Sequence, residues 1–221
     1  MDEDPANDGD FDNDEDVKQY REQLKAEQKE IDDSIKILQH QLNLTATNED
    51  FPKQFCLLKT AVAPELYPGY DISFANNSPA LPLKVFIIES IYTSHRGRRT
   101  ATVSENYFVG LLNLKTTYPY TVIKPERLED KIQDLFTHAE LDFAESKKFS
   151  NAFYVLTKDK DLLTTILSHK NLEALAEMKD LVLEIIDNQC LFLCSTLSGI
   201  NQQTAQLFCD GAKLLNRVLN G

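Results

Sequence analysis

Three guanidinium groups and an imidazole fall within the five residues His95-Arg96-Gly97-Arg98-Arg99, the densest cluster of ligand-binding side chains in the chain. Arginine binds phosphate or carboxylate through paired N–H donors, and Gly97 lets the backbone come close to such a group. A lipid headgroup, a nucleotide, an acidic peptide or the chain's own acidic N-terminus fits this chemistry. A charged turn that keeps a hairpin soluble accounts for the same residues with no ligand. Acid/base catalysis needs two carboxylates in a shielded cleft, and Glu89 with Glu105 is the pair that adjacent strands bring together, the basis of a hydrolase alternative. The expectation for both is a solvent-facing carboxylate, with like charges directly opposite being destabilising.

Other chemistries lack their residues. Ser195, in CSTLSG, has no nucleophile-elbow context and no neighbouring His. Seven glycines leave neither GxGxxG nor GxxxxGK[ST], so no nucleotide cofactor is expected. Cys190 and Cys194 form a CxxxC, but structural zinc pairs a CxxC turn with a second ligand pair, and His40, His95, His138 and His169 are scattered; no metal is expected. Cys56, Cys190, Cys194 and Cys209 sit in apolar surroundings as reduced core thiols, which points to the cytoplasm.

The elements that must position these residues begin with an acidic tail. Residues 1–16 hold nine acids and no base, which leaves 26 acids and 23 bases, a net −3, in the remaining chain. Such a tail is too polar to fold alone and repels phosphates, so nucleic acid is not an expected partner. No basic, apolar leader follows Met1, and no run approaches the ~18 apolar residues of a membrane span. Delivery by a specialised secretion system stays open.

Val17, Leu24, Ile31 and Leu38 recur every seven residues, with Ile35 and Leu42 at the complementary position and Arg21 and Gln28 interrupting it. This predicts an amphipathic helix over 17–44 whose stripe docks on the chain's own domain, self-associates as a coiled coil, or meets a partner helix or membrane surface. Residues 45–69 read as a linker and loop-rich segment, with a further helical piece from Phe51 to about Val62. Residues 70–221 read as an α+β domain.

Within that domain a short strand spans Tyr70–Phe74. Leu83–Thr93 and Thr100–Leu112 form a hairpin around SHRGRR, and another strand includes Thr121–Ile123. A helix follows Pro125, a strand covers Asn151–Thr157, and two short helices cover Asp159–Leu167 and Asn171–Met178. Leu181–Ile186 and Cys190–Thr196 read as a second hairpin around Asp187-Asn188-Gln189. A closing helix over Asn201–Leu219 buries Ala205, Phe208, Cys209, Ala212, Leu215 and Leu219. The expected architecture is an antiparallel sheet built from hairpins, with helices on one face.

Tyr107-Phe108-Val109-Gly110-Leu111-Leu112, Thr121-Val122-Ile123-Lys124-Pro125-Glu126 and FSNAFYVLTKDKDLLTTI from Phe149 to Ile166 resemble signatures of the bacterial domain of unknown function three-one-three-seven. Phe149, Phe153, Val155, Asp159, Ile166 and Leu167 look like its central unit, and Leu172, Leu175 and Lys179 like its following helix. The resemblance covers roughly residues 70–196 and implies a fold, with no catalytic residue. Members of that family are usually anchored by a pair of membrane spans after the N-terminal helix; Thr45 to Val62 holds none. The expected function is a noncatalytic protein-interaction or assembly module. A peripheral membrane or anionic-ligand domain working through His95, Arg96, Arg98 and Arg99 is the alternative.

Overall fold

A computed structural model describes residues 14–52, 54–55, 66–67, 73–96, 99–125, 143, 146–178, 180–194 and 199–221. The elements are α1 (Asp14–Leu42), β1 (Thr45–Thr47), β2 (Leu66–Tyr67), β3 (Ser73–Asn76), β4 (Leu83–Arg96), β5 (Arg99–Pro125), α2 (Lys147–Ser150), β6 (Phe153–Thr157), α3 (Lys160–Ile166), α4 (His169–Ala176), β7 (Leu181–Cys194) and α5 (Gln202–Asn220). The strands form one seven-stranded sheet in the order β1-β3-β4-β5-β6, with β2 also on β4 and β7 also on β5. Every pairing is antiparallel, and the fold is α+β.

The sheet buries both faces. One carries Val85, Ile87, Phe108, Leu112, Val155, Leu183 and Phe192 under the helices, in a single core with Leu38, Leu172, Phe208 and Leu215. The other carries Phe86, Ile88, Val109, Leu111, Val122, Leu156, Val182 and Leu191, packed with Phe51 and Phe55. Two buried faces explain why these strands read as continuous apolar runs without clean alternation.

β5 is the spine, pairing with β4, β6 and β7 along its length. It continues through Thr121–Ile123, so the two strands expected there are one. β7 likewise runs unbroken, and the hairpin expected around Asp187-Asn188-Gln189 does not form, because both of its halves pair with β5. Residue parity explains the misreading. Leu181, Leu183 and Ile185 face the helices before Asp187, and Cys190 and Phe192 do so after it; β5 switches similarly between Tyr118 and Ile123. The register shifts between Asn113 and Thr121 mark where the two strands bulge together. Asp187, at φ 55°, takes the left-handed conformation that aspartate tolerates better than most residues.

Residues 45–69, expected as a linker, contribute to the sheet. β1 pairs with β3 and β2 with β4, while Phe55 is 1% exposed. The strand expected over Tyr70–Phe74 is found at Ser73–Asn76. The helices expected over Phe51–Val62 and after Pro125 fall mostly or wholly outside the described residues.

α5 is well specified locally. Asn201 accepts from the Thr204 backbone N–H and the Thr204 hydroxyl accepts from the Asn201 N–H, both at 2.9 Å, a complete capping box. All six residues expected to be buried on it are buried. At its other end the Val218, Leu219 and Asn220 carbonyls accept from Asn171 Nδ2 (3.1 Å), Tyr118 OH (2.9 Å) and Lys115 Nζ (2.7 Å). Those are carbonyls that a helix terminus leaves without intrahelical partners.

Candidate interaction surfaces

α1 has two unlike halves. It starts at Asp14, three residues before the apolar stripe, and Glu15 places negative charge at the positive end of the helix dipole. From Val17 to Glu30 every side chain is exposed, including the apolar Val17 (38%), Tyr20 (62%) and Leu24 (45%). From Ile31 onward the stripe is covered: Ser34 and Leu38 are 0% and Leu42 is 1% exposed, with Ile31, Ile35 and Ile37 packed on the same core. Gln41 Oε1 accepts from Lys213 Nζ on α5 at 3.0 Å, and Gln41 also bonds Gln206.

The end of the helix is fixed by the backbone. Asn43 sits at φ 51°, the Leu44 N–H returns to the Gln39 carbonyl at 3.0 Å, and Leu44 is buried beyond it, a Schellman-type stop. Asn76 Nδ2 on β3 donates to the Leu42 carbonyl at 2.7 Å. The stripe named from the sequence is therefore divided. Ile31, Ile35, Leu38 and Leu42 are committed in whole or part to the chain's own core, whereas Leu24, with Val17 and Tyr20, is not. An exposed half of about 17 residues at 1.5 Å each reaches about 25 Å.

The β4–β5 hairpin forms as expected and runs to Arg96 opposite Arg99. Gly97 and Arg98 lie outside the described residues, and His95 occupies the register position opposite Thr100. Inward of this end, among the described residues, β2 pairs with β4 at Glu89 and Ser90, and β7 pairs with β5 as far as Gly110.

Glu89 pairs with Asn106 and Glu105 with Ser90, so the two glutamates hold positions on opposite faces of the sheet. They do not form the shielded pair that acid/base catalysis needs, a correction to the hydrolase alternative. A one-residue offset in register is enough to separate them.

Cys190 and Cys194 lie four residues apart on one strand, about 13 Å at strand rise, too far to hold one ion. Burial pushes the Cys190 thiol far up, the Cys194 thiol up to about 12 and the Cys209 thiol up to about 11. These thiols stay protonated and inert at neutral pH. Among the described residues no group of three or more His, Cys, Asp or Glu could hold a metal ion.

One polar cluster was missed from the sequence. Glu184, 0% exposed on β7, accepts from the Tyr120 hydroxyl at 2.9 Å. Nearby on the same sheet face Lys124, 3% exposed, lies 4.9 Å from the Tyr154 ring centre, and Lys158 lies 5.4 Å from that of Tyr120. The signal available was a single charge inside each of two apolar runs, LVLEII and TVIKP.

No family model, no curated protein and no solved structure matches the chain. Among the described residues no helix is long and apolar enough to cross a membrane.

Proposed function

We propose that the protein is a noncatalytic interaction or assembly module whose α+β body anchors α1 and offers the helix's outer half to another helix as a short coiled coil. One observation carries this reading: a single apolar stripe runs the length of α1, its inner half is buried on the body, and Val17, Tyr20 and Leu24 continue it into solvent. Isolated helices near this length are marginal in water, so a partner stabilises the outer half by covering its apolar side. Burying each of these side chains contributes at most about 1.5–3 kcal/mol, which suits a reversible association. A cytoplasmic setting accords with the protonated, buried Cys190 and Cys209.

Solution mass by light scattering tests it, comparing the full chain with Leu24→Asp. The full chain should be larger than one protomer, and the variant should return to the mass of one. A full chain that stays a monomer, with hydrogen exchange across residues 17–30 as fast as in an isolated peptide and unmoved by Leu24→Asp, overturns the reading.

A second reading is favoured by the register that sets Arg96 opposite Arg99. Like charges directly across a strand pair are destabilising, so an anion held between them is a stabilising ligand.

A further inference from the structure

Successive residues of a helix turn by about 100°, so Ile31, Ile35, Leu38 and Leu42, which pack on the body, point within roughly 40° of Leu24, as do Val17 and Tyr20. The body therefore stands on the side of α1 to which the outer half presents its apolar residues, and it begins at Ile31. A second helix laid on Val17, Tyr20 and Leu24 meets that wall at one end. Running parallel, a helix that continues as α1 does would drive its own residues 31–42 into the wall. Running antiparallel, it continues past Asp14 and away from the body.

Charge gives the same direction. Arg21 and Gln28 hold the second seam position, four residues after Val17 and Leu24. In a parallel pair of identical helices each Arg21 faces its own copy, and the like charges repel; in an antiparallel pair the two seam positions alternate across the contact, and Arg21 faces Leu24. We infer that the helix covering the outer half of α1 is the same segment of a second copy, laid antiparallel about a two-fold axis between Glu22 and Gln23. The inference rests on the coiled-coil reading above, and it names the partner and the direction.

Length fixes the register and selects a second copy. With Leu24 level with Arg21 of the second copy and Val17 level with its Gln28, residue 14 reaches the level of residue 31, where the wall begins. One heptad further would run residues 14–20 into the body, and one heptad less would leave Leu24 level with Asp14, with no apolar cover. The segment thus fills, end to end, the slot that its own copy leaves open. A two-fold contact makes every pairing twice, so the two Leu24 side chains meet on adjacent layers beneath the aliphatic stems of Arg21. Tyr20 and Glu27 face each other across one flank, and Lys18 and Lys25 across the other.

Double electron–electron resonance on the full chain, in a Cys56→Ser background, reads the direction. Cys190, Cys194 and Cys209 have raised thiol pKa values and resist coupling at neutral pH. Nitroxides at Gln23→Cys and, in a second preparation, Glu30→Cys sit on one flank at exposed positions one heptad apart. The Gln23 labels of the two copies should be nearly level, whereas residue 30 is level with residue 15 of the second copy, an axial offset of about 22 Å that should lengthen the Glu30 distance by roughly 10 Å. The lysine flank is repulsive, so the dissociation constant should fall severalfold between about 0.05 and 0.5 M salt. A dimer with equal distances at the two positions, or one that loosens with salt, overturns the antiparallel register and leaves the pairing of outer halves standing. A chain that remains one protomer at about 1 mM overturns the second copy as occupant. The coiled-coil reading then survives only if hydrogen exchange across residues 17–30 is slower than in the isolated peptide.

Discussion

Tyr118, at the bulge of β5, donates its hydroxyl to the Leu219 carbonyl at 2.9 Å and ties the end of α5 to the spine of the sheet. Tyr118 is 3% exposed, and burial raises its phenol pKa. Tyr118→Phe keeps the ring and leaves a helix-terminal carbonyl without this donor. Stability in urea should fall by about 1–2 kcal/mol with an unchanged m-value.

Alkaline pH should destabilise the fold. The Cys190, Cys194, Cys209 and Tyr118 side chains all have folded pKa values above their ordinary ones. Each group therefore contributes stability that is complete below its unfolded pKa, near 9 for the thiols and 10 for the phenol, and is lost as pH rises towards the folded value. Tm should be flat around pH 8 and decline above pH 9, and Cys190→Ala should shallow that decline while lowering Tm throughout. A Tm that rises between pH 9 and 11 contradicts this account.

Gly110 lies under the Phe192 ring, where an added Cβ would meet Phe192 ring carbons at 2.3 Å. The ring has little room to yield, being 1% exposed and stacked on Phe208 at 5.1 Å. Gly110→Ala should destabilise by at least about 1–3 kcal/mol, read as a lower denaturation midpoint. Phe192→Leu in the same chain should recover part of that loss, since a smaller side chain vacates the contact.

The two halves of α1 should respond unequally to one kind of change. Leu38→Ala removes a fully buried side chain and should cost about 2–5 kcal/mol of unfolding free energy. Leu24→Ala, at a position 45% exposed, should leave the stability of a single protomer within about 0.5 kcal/mol. A truncation that removes α1's outer half alone must begin near Glu30, because one that removes the whole helix would also delete Leu38 and Leu42 from the core.

Asn201→Ala should reveal how far α5 relies on its capping box. Thr204 remains but loses its reciprocal partner, so about 1 kcal/mol should disappear from global stability. Hydrogen exchange should accelerate first in the opening turn of the helix, and equal exchange in both proteins there would count against the cap.

Local pattern determined much of this protein. Seven-residue spacing located α1, and Asn201 with a 3.6-residue apolar repeat located α5, because caps and periodicity are properties of a few adjacent residues. The two apolar runs around SHRGRR specified the β4–β5 hairpin for the same reason. Tertiary structure alone decided what lies across from each element. Asp187-Asn188-Gln189 has turn composition, yet β5 pairs on both sides of it and turns a would-be hairpin into a bulge. Glu89 and Glu105 were separated by register, which depends on a partner strand. The stripe of α1 states which side of the helix is apolar; only the placement of the core that it docks on decided that burial begins at Ile31 and that Val17, Tyr20 and Leu24 stay outside. Periodicity encodes a face, and the neighbour that covers it comes from distant parts of the chain.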